Sequence, residues 1–134
     1  MRFFGVRFPG GKLLYSISLS MLKIGLFGVG HLAKIHITQL LSLKQVEVTG
    51  FFDPSDANAQ EVEEQFHVRR YPDPATLLQD CEAVDIVAPT TQHFELCELA
   101  IRHGRHVFVE KPMAHTMDEA RALLKLLSEA NVKF

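Results

Sequence analysis

Lys111 follows a short apolar run, His106-Val107-Phe108-Val109, with one acid between them, Glu110, and a proline behind, Pro112. A lysine at the carboxyl end of a parallel strand points into the crevice where such sheets bind ligands. There it can hydrogen-bond a substrate oxygen and stabilise a developing alkoxide. On these three residues alone, a solvated lysine beside a proline turn is the better reading. A second set lies nearer the start, in Lys23-Ile24-Gly25-Leu26-Phe27-Gly28-Val29-Gly30-His31-Leu32-Ala33. Gly28 permits a tight turn, Gly30 lets the backbone approach a pyrophosphate, and the small Ala33 lets a helix pack closely on the strand before it. Unpaired amides at that helix start attract the anion. Asp53 closes the next apolar run, Val46 to Phe52, where a carboxylate can accept both hydroxyls of an adenosine ribose. In Ala88-Pro89-Thr90-Thr91-Gln92-His93, two hydroxyls stand at the edge of the same crevice, where they can cap a helix, touch a ligand, or do both.

Those groups need a scaffold that brings strand ends together, and from Leu22 onward strands and helices alternate. Leu22 to Gly28 reads as a first strand, followed by a helix from His31 to about Leu43 with Ala33, Ile37, Leu40 and Leu41 on one stripe. Val46 to Phe52 is the second strand. Ser55 caps a helix to Phe66 that turns Ala59, Val62 and Phe66 inward. Val68 to Tyr71 is a short third strand, and Pro74 to Asp80 a helical turn. Ala83 to Ala88 is the fourth strand, apolar enough for a central parallel position. A helix from Thr91 to His103 stops at Gly104, and its stripe Phe94, Cys97, Ile101 marks Cys97 as packing rather than a nucleophile. His106 to Val109 is the fifth strand. Thr116-Met117-Asp118-Glu119 is a capping box opening a helix that buries Ala120, Leu123, Leu124 and Leu127, and Val132-Lys133-Phe134 begins a sixth strand. The expected fold is α/β, a doubly wound parallel sheet of Rossmann type in the order 3-2-1-4-5-6, as a single domain.

Composition narrows the function classes. The chain has 134 residues, 47% of them hydrophobic, and a formal charge of −2, a balance that offers no nucleic-acid surface. No apolar run reaches the roughly 18 residues of a membrane span, so a soluble protein is expected. Cys81 and Cys97 sit 16 apart with no CxxC pair, which fits a reducing cytoplasm better than a disulfide frame or zinc site. His31 and His36 are five apart, off any shared helix face, so no metal site is expected. Residues 1–20 carry Arg2, Arg7 and Lys12 with no acid and no steady period, and are expected to be a poorly ordered extension or a start-site artefact. The domain is then 21–134.

Taken together, Gly28 to His36, Asp53, Ala88 to His93 and His106 to Pro112 resemble the successive motifs of the Gfo/Idh/MocA oxidoreductases, named for glucose-fructose oxidoreductase and inositol dehydrogenase. The resemblance covers residues 22 to 134, and the Glu-Lys-Pro run carries more of it than the glycine turn. It implies an amino-terminal domain binding NAD or NADP, with sugars, cyclitols and related polyols as substrates. NAD is expected over NADP because Asp53 is followed by Pro54, Ser55 and Asp56, with no Arg or Lys to meet a 2′-phosphate that the carboxylate would repel. Cofactor contacts are implied for Gly28, Val29, Gly30, His31, Leu32, Asp53, Pro89, Thr90, Thr91, His93 and Glu110, and a catalytic role for Lys111. Members of that family continue into a second α/β domain that supplies substrate contacts and a further acid/base pair. This sequence is accordingly expected to be the cofactor half, truncated or split from its partner, incomplete for catalysis alone and with an apolar sheet edge open to self-association. Two other readings stay open: a non-catalytic dinucleotide-sensing module, and a methyltransferase-like domain binding S-adenosylmethionine. Against the second, methyl transfer does not call for a lysine at position 111.

Overall fold

A computed structural model describes residues 2–7, 13–18 and 20–134. Arg2–Arg7 (β1) and Leu13–Ser18 (β2) pair antiparallel, with Arg2 opposite Ser18 and Arg7 opposite Leu13, as a two-stranded sheet of their own. The remaining elements are β3 (Leu22–Phe27), α1 (His31–Ser42), β4 (Val46–Phe52), α2 (Asp56–Phe66), α3 (Pro74–Asp80), β5 (Ala83–Ile86), α4 (Thr90–Arg102), β6 (His106–Val109) and α5 (Met117–Glu129). The last four strands form one parallel sheet in the order β4-β3-β5-β6. Strand order therefore reverses between β3 and β5, where a doubly wound sheet opens its crevice. No described helix is long and apolar enough to cross a membrane.

The expected third and sixth strands shrink to contacts at the places the order 3-2-1-4-5-6 assigns them. On the outer side of β4, Phe51 and Arg70 make one parallel bridge. The Phe51 amide donates to the Arg69 carbonyl at 2.9 Å, and the Tyr71 amide donates to the Phe51 carbonyl at 2.7 Å. Pro72 comes next and has no N–H with which to extend the ladder. Beyond β6, the Val107 amide donates to the Lys133 carbonyl at 2.9 Å.

Alternation along the strands divides the core between the two faces of the sheet. Leu26 packs with Ala33 and Ile37 of α1 and Ala59 and Val62 of α2. Phe27, one residue on, packs with Leu77 of α3, Cys97 and Ile101 of α4 and Leu123 of α5. A side chain at Gly25 would not fit on this second face, since a Cβ there would lie 2.9 Å from the Leu77 Cγ. Two leucines expected in the core are exposed instead, Leu41 and Leu124. Successive helical positions lie about 100° apart, so burying Leu123 turns Leu124 outward, and Leu126 packs in its place. Leu41 lies at the rim of the Ala33–Ile37–Leu40 stripe.

Helix starts follow the local chemistry of the sequence. The Ser55 hydroxyl accepts the Asn58 amide at 3.3 Å. Thr116 and Glu119 complete a reciprocal box at 3.2 and 2.9 Å. Neither Thr90 nor Thr91 caps α4, contrary to one of the two roles open to them. Its N-cap is Pro89, with no side-chain hydrogen bond, and Thr90 is already the first helical residue.

Candidate dinucleotide crevice

The glycine turn divides its two tasks between its two glycines. Gly28 has φ +84°, and a Cβ on it would stand 2.7 Å from both the Cα and the amide nitrogen of Ala88. It is glycine because the turn is left-handed and presses against the β5–α4 connection. Gly30 has φ −67°, open to any residue, and a Cβ there would meet nothing within 4 Å. Its missing side chain leaves open space directly over the start of α1. Among the described residues no side chain caps that helix, and no acid lies in its first turn. Its first amides therefore keep their hydrogen-bonding capacity and their dipole for an anion from outside.

Asp53 sits at the end of β4, almost wholly buried, and braces this turn from the next strand. Its Oδ2 accepts the Val29 amide at 2.7 Å, and its Oδ1 accepts the Ser55 amide at 2.7 Å. Each carboxylate oxygen keeps a lone pair for a further donor. The cavity between the strand ends has a volume of about 400 Å³ and is lined by Gly28, Gly30, His31, Leu32, Asp53, Pro54, Asn58, Ala88 and Pro89, among others. Six of the residues expected from the sequence thus line one cavity: Gly28, Gly30, His31, Leu32, Asp53 and Pro89. The Val29 side chain faces the core and is fully buried. Thr90, Thr91, His93, Glu110 and Lys111 lie outside this lining.

His93 is 1% exposed, and its ring bridges two backbone segments. Nδ1 lies 2.8 Å from the Pro112 carbonyl oxygen and Nε2 lies 2.8 Å from that of Ala88. The neutral ring can donate to one of these and the imidazolium to both. Either way His93 fixes the Glu110-Lys111-Pro112 turn against the connection that walls the cavity. Lys111 itself is exposed at the end of β6.

Glu110 belongs to a second cluster. His36 of α1 lies between two carboxylates, with Nδ1 2.8 Å from Asp85 Oδ2 and Nε2 3.3 Å from Glu110 Oε1. Asp85 lies in the middle of β5 and is 5% exposed. Burial pushes its carboxyl above the usual range, the nearby Glu110 charge adds to this, and the His36 hydrogen bond opposes it. Its Oδ1 is buried and has no hydrogen-bond partner among the described residues.

Two residues that shape the site carry no local signal in the sequence. Arg70 reaches across from the bridge beside β4, where Nη2 donates to the Asp53 carbonyl at 2.9 Å and Nη1 pairs with Asp56 at 2.7 Å. Asn58, in the first turn of α2, lines the cavity. Only the parallel neighbour of β4 brings Arg70 there.

Residues 22–134 match the family model described as an oxidoreductase family with an NAD-binding Rossmann fold. Over 111 residues the chain is 34% identical to UDP-N-acetylglucosamine 3-dehydrogenase of Acidithiobacillus ferrooxidans, covering 83% of this chain and 35% of that protein. It is 28% identical over 114 residues to scyllo-inositol 2-dehydrogenase (NAD(+)) of Bacillus subtilis, covering 82% and 33%. Among solved structures, the Acidithiobacillus enzyme superposes with a TM-score of 0.75 at 34% identity, covering 81% of this chain and 36% of that one. A myo-inositol dehydrogenase-like structure from Sinorhizobium meliloti superposes with a TM-score of 0.79 at 26% identity, covering 84% and 35%. The chain therefore spans about a third of the length of the relatives it matches.

Proposed function

The chain belongs to the Gfo/Idh/MocA oxidoreductase family, with residues 22–134 as its NAD-binding Rossmann domain, and from that premise we propose that it holds NAD, in preference to NADP, for oxidation of a CH–OH group on a sugar, cyclitol or related polyol. Family membership sets aside the S-adenosylmethionine reading. The observation that carries the proposal is the empty space over Gly30 in front of an uncapped helix start with no acid in its first turn. A diphosphate fits that combination of room, amides and dipole.

In this reading the residues of the chain act as follows. The α1 amides hold the pyrophosphate, and the free lone pairs of Asp53 accept ribose hydroxyls while its charge repels a 2′-phosphate. Bound there, the cofactor supplies a hydride acceptor. His93 holds the Lys111 turn against the crevice wall. The Lys111 ammonium would stabilise negative charge on the substrate oxygen, an effect that grows once water is excluded, while the hydroxyl proton would pass to a base outside this domain, or to water, as the hydride leaves the carbon. Exposed as it is, Lys111 is strongly screened. A chain of this length assayed alone is therefore expected to bind NAD weakly and to leave polyols unoxidised.

Calorimetric titration of the purified chain with NAD tests the binding half. Saturable binding that weakens in Gly30→Ala with the melting temperature unchanged supports the reading, whereas no saturation at millimolar NAD would overturn it. Incubation with NAD and a panel of sugars and inositols tests the rest. NADH formation that disappears in Lys111→Ala would mean that this third of a relative's length suffices for catalysis.

A further inference from the structure

Interior strands of a parallel sheet are ordinarily apolar on both faces, and β5 lies between β3 and β6. Asp85 departs from that at 5% exposure. Its neighbours Val84 and Ile86 pack into the cluster of α4 and α5, so alternation turns Asp85 to the opposite face, where α1 runs. Its register partner on β6 is Phe108. Two residues further on comes Glu110, whose amide donates to the Ile86 carbonyl at 3.1 Å.

His36 of α1 fills the gap between the two acids. Asp85 Oδ2 lies 2.8 Å from its Nδ1, and Glu110 Oε1 lies 3.3 Å from its Nε2. The buried carboxylate fixes the ring's orientation and also which nitrogen carries hydrogen. The shared proton can rest on Nδ1 or on Asp85 Oδ2, as burial of that acid favours, and in both states Nε2–H faces the Glu110 carboxylate. A neutral ring protonated on Nδ1 alone would set a lone pair against that carboxylate instead.

We propose that His36 is a positioning residue for Lys111: oriented by Asp85, it ties Glu110, and with it the Lys111 turn, to the helix whose first amides face the phosphate site. The other neighbour of Lys111 is already fastened, since His93 Nδ1 lies 2.8 Å from the Pro112 carbonyl oxygen. Lys111 therefore stands between two residues, each held by a histidine to one of the two helices, α1 and α4, that start at the crevice. Its backbone is fixed while its side chain stays exposed. A cation mounted this way gives up less freedom when a substrate oxygen arrives. Burying Asp85 is costly, because its Oδ1 has no partner among the described residues. A core built for stability alone has no use for this acid, whereas holding His36 gives it one.

Service to catalysis rests on the reading of Lys111 given above, but the tie itself is measured without NAD or substrate, so either can fail alone. The readout is the backbone order parameter of Lys111, from nitrogen-15 relaxation of the purified chain. His36→Gln keeps an N–H near the Nε2 position and loses the ring. His36→Phe keeps a ring beside Phe108, which lies 6.2 Å from that of His36 between centroids, and loses both polar ends. Glu110→Ala removes the tied carboxylate at a half-buried site and leaves Asp85 and His36 paired. The parent and His36→Gln should stay near about 0.85, with His36→Phe and Glu110→Ala falling toward about 0.6. Combining His36→Phe with Glu110→Ala should lower the value no further, since both cut one link. Should His36→Phe fail to fold, the other two variants still decide, because only a tie through Nε2 loosens Lys111 in Glu110→Ala and spares it in His36→Gln. Undiminished order in Glu110→Ala, lost order in His36→Gln, or a parent already near about 0.6 would overturn the proposal.

Discussion

Asp53 Oδ2 accepts the Val29 amide at 2.7 Å, tying the end of one strand to the glycine turn of its neighbour. The carboxylate expected to read a ribose is thus also the brace that sets the turn. Asp53→Ala leaves the Val29 amide buried and unpaired, which costs about 1–3 kcal/mol. Denaturant melts should record that loss, and calorimetry a weaker NAD affinity. An Asp53→Ala chain as stable as the parent would mean that the brace is dispensable.

Arg70 qualifies the expected preference for NAD. Its guanidinium is neutralised by Asp56 and anchored on the Asp53 carbonyl, so it does not stand free to meet a 2′-phosphate. Replacing both Asp53 and Asp56 by alanine removes the repelling carboxylate and releases the arginine. The ratio of NADP to NAD affinity should then rise by about tenfold or more, and adding Arg70→Ala should reverse the gain. The assignment fails if NADP already binds the unmodified chain as tightly as NAD.

The two glycines of the turn should separate under substitution. Gly28→Ala drives a Cβ into the backbone of Ala88 at a positive φ, and is expected to cost several kcal/mol of stability, at the severe end for a single change. Gly30→Ala has room and an ordinary φ, so its melting point should hold while NAD affinity falls. A stable Gly28→Ala chain would show that the turn yields where the geometry says it cannot.

Asp85 makes stability depend on pH. Its folded-state carboxyl titrates above the ordinary value because of burial, so in the window between those two values the folded chain holds a proton that the unfolded chain has lost. The resulting stability is complete below the unfolded value and disappears as pH rises through the folded one. Stability curves of the parent and Asp85→Asn should therefore diverge in the variant's favour as pH increases from about 4. Parallel curves would contradict the burial of this acid.

Both cysteines should be silent in the native state. Burial pushes the Cys97 thiol to about 12 and raises Cys81 as well, so neither supplies thiolate at neutral pH. Reaction with a thiol-specific disulfide reagent should report no free thiol until denaturant is added, and two afterwards. Rapid native labelling of either would refute the burial of Cys97 within α4 or of Cys81 at the end of α3.

What could be read in advance and what could not divides along sequence distance. The alternation of elements, the Thr116–Glu119 box and the glycine turn are local patterns, and local chemistry forms them. Gly28, Gly30, His31, Leu32, Asp53 and Pro89 converge because they share strand ends of one topology. The contacts that complete the site join residues far apart: Arg70 with Asp53, His93 with Pro112, and His36 with Asp85 across 49 positions. No spacing rule announces such pairs, since they depend on which strand lies beside which. Val68 to Tyr71 has the composition of a strand, but Pro72 limits it to a bridge. The β1–β2 pairing has no periodic signature at all.

Gly25 and Leu77 share one volume, the leucine occupying what a side chain on β3 would need. Neither position can drift independently. A lineage that acquired alanine at 25 first would have to displace the Leu77 side chain from where it packs. One that first shortened Leu77 would pass through a cavity-bearing intermediate, weakened by roughly 2–5 kcal/mol, which a later methyl at 25 could partly refill. Each route passes through an intermediate with either a crowded or an emptied space between β3 and α3, so the packing of one helix on one strand couples the two positions in the descent of this fold.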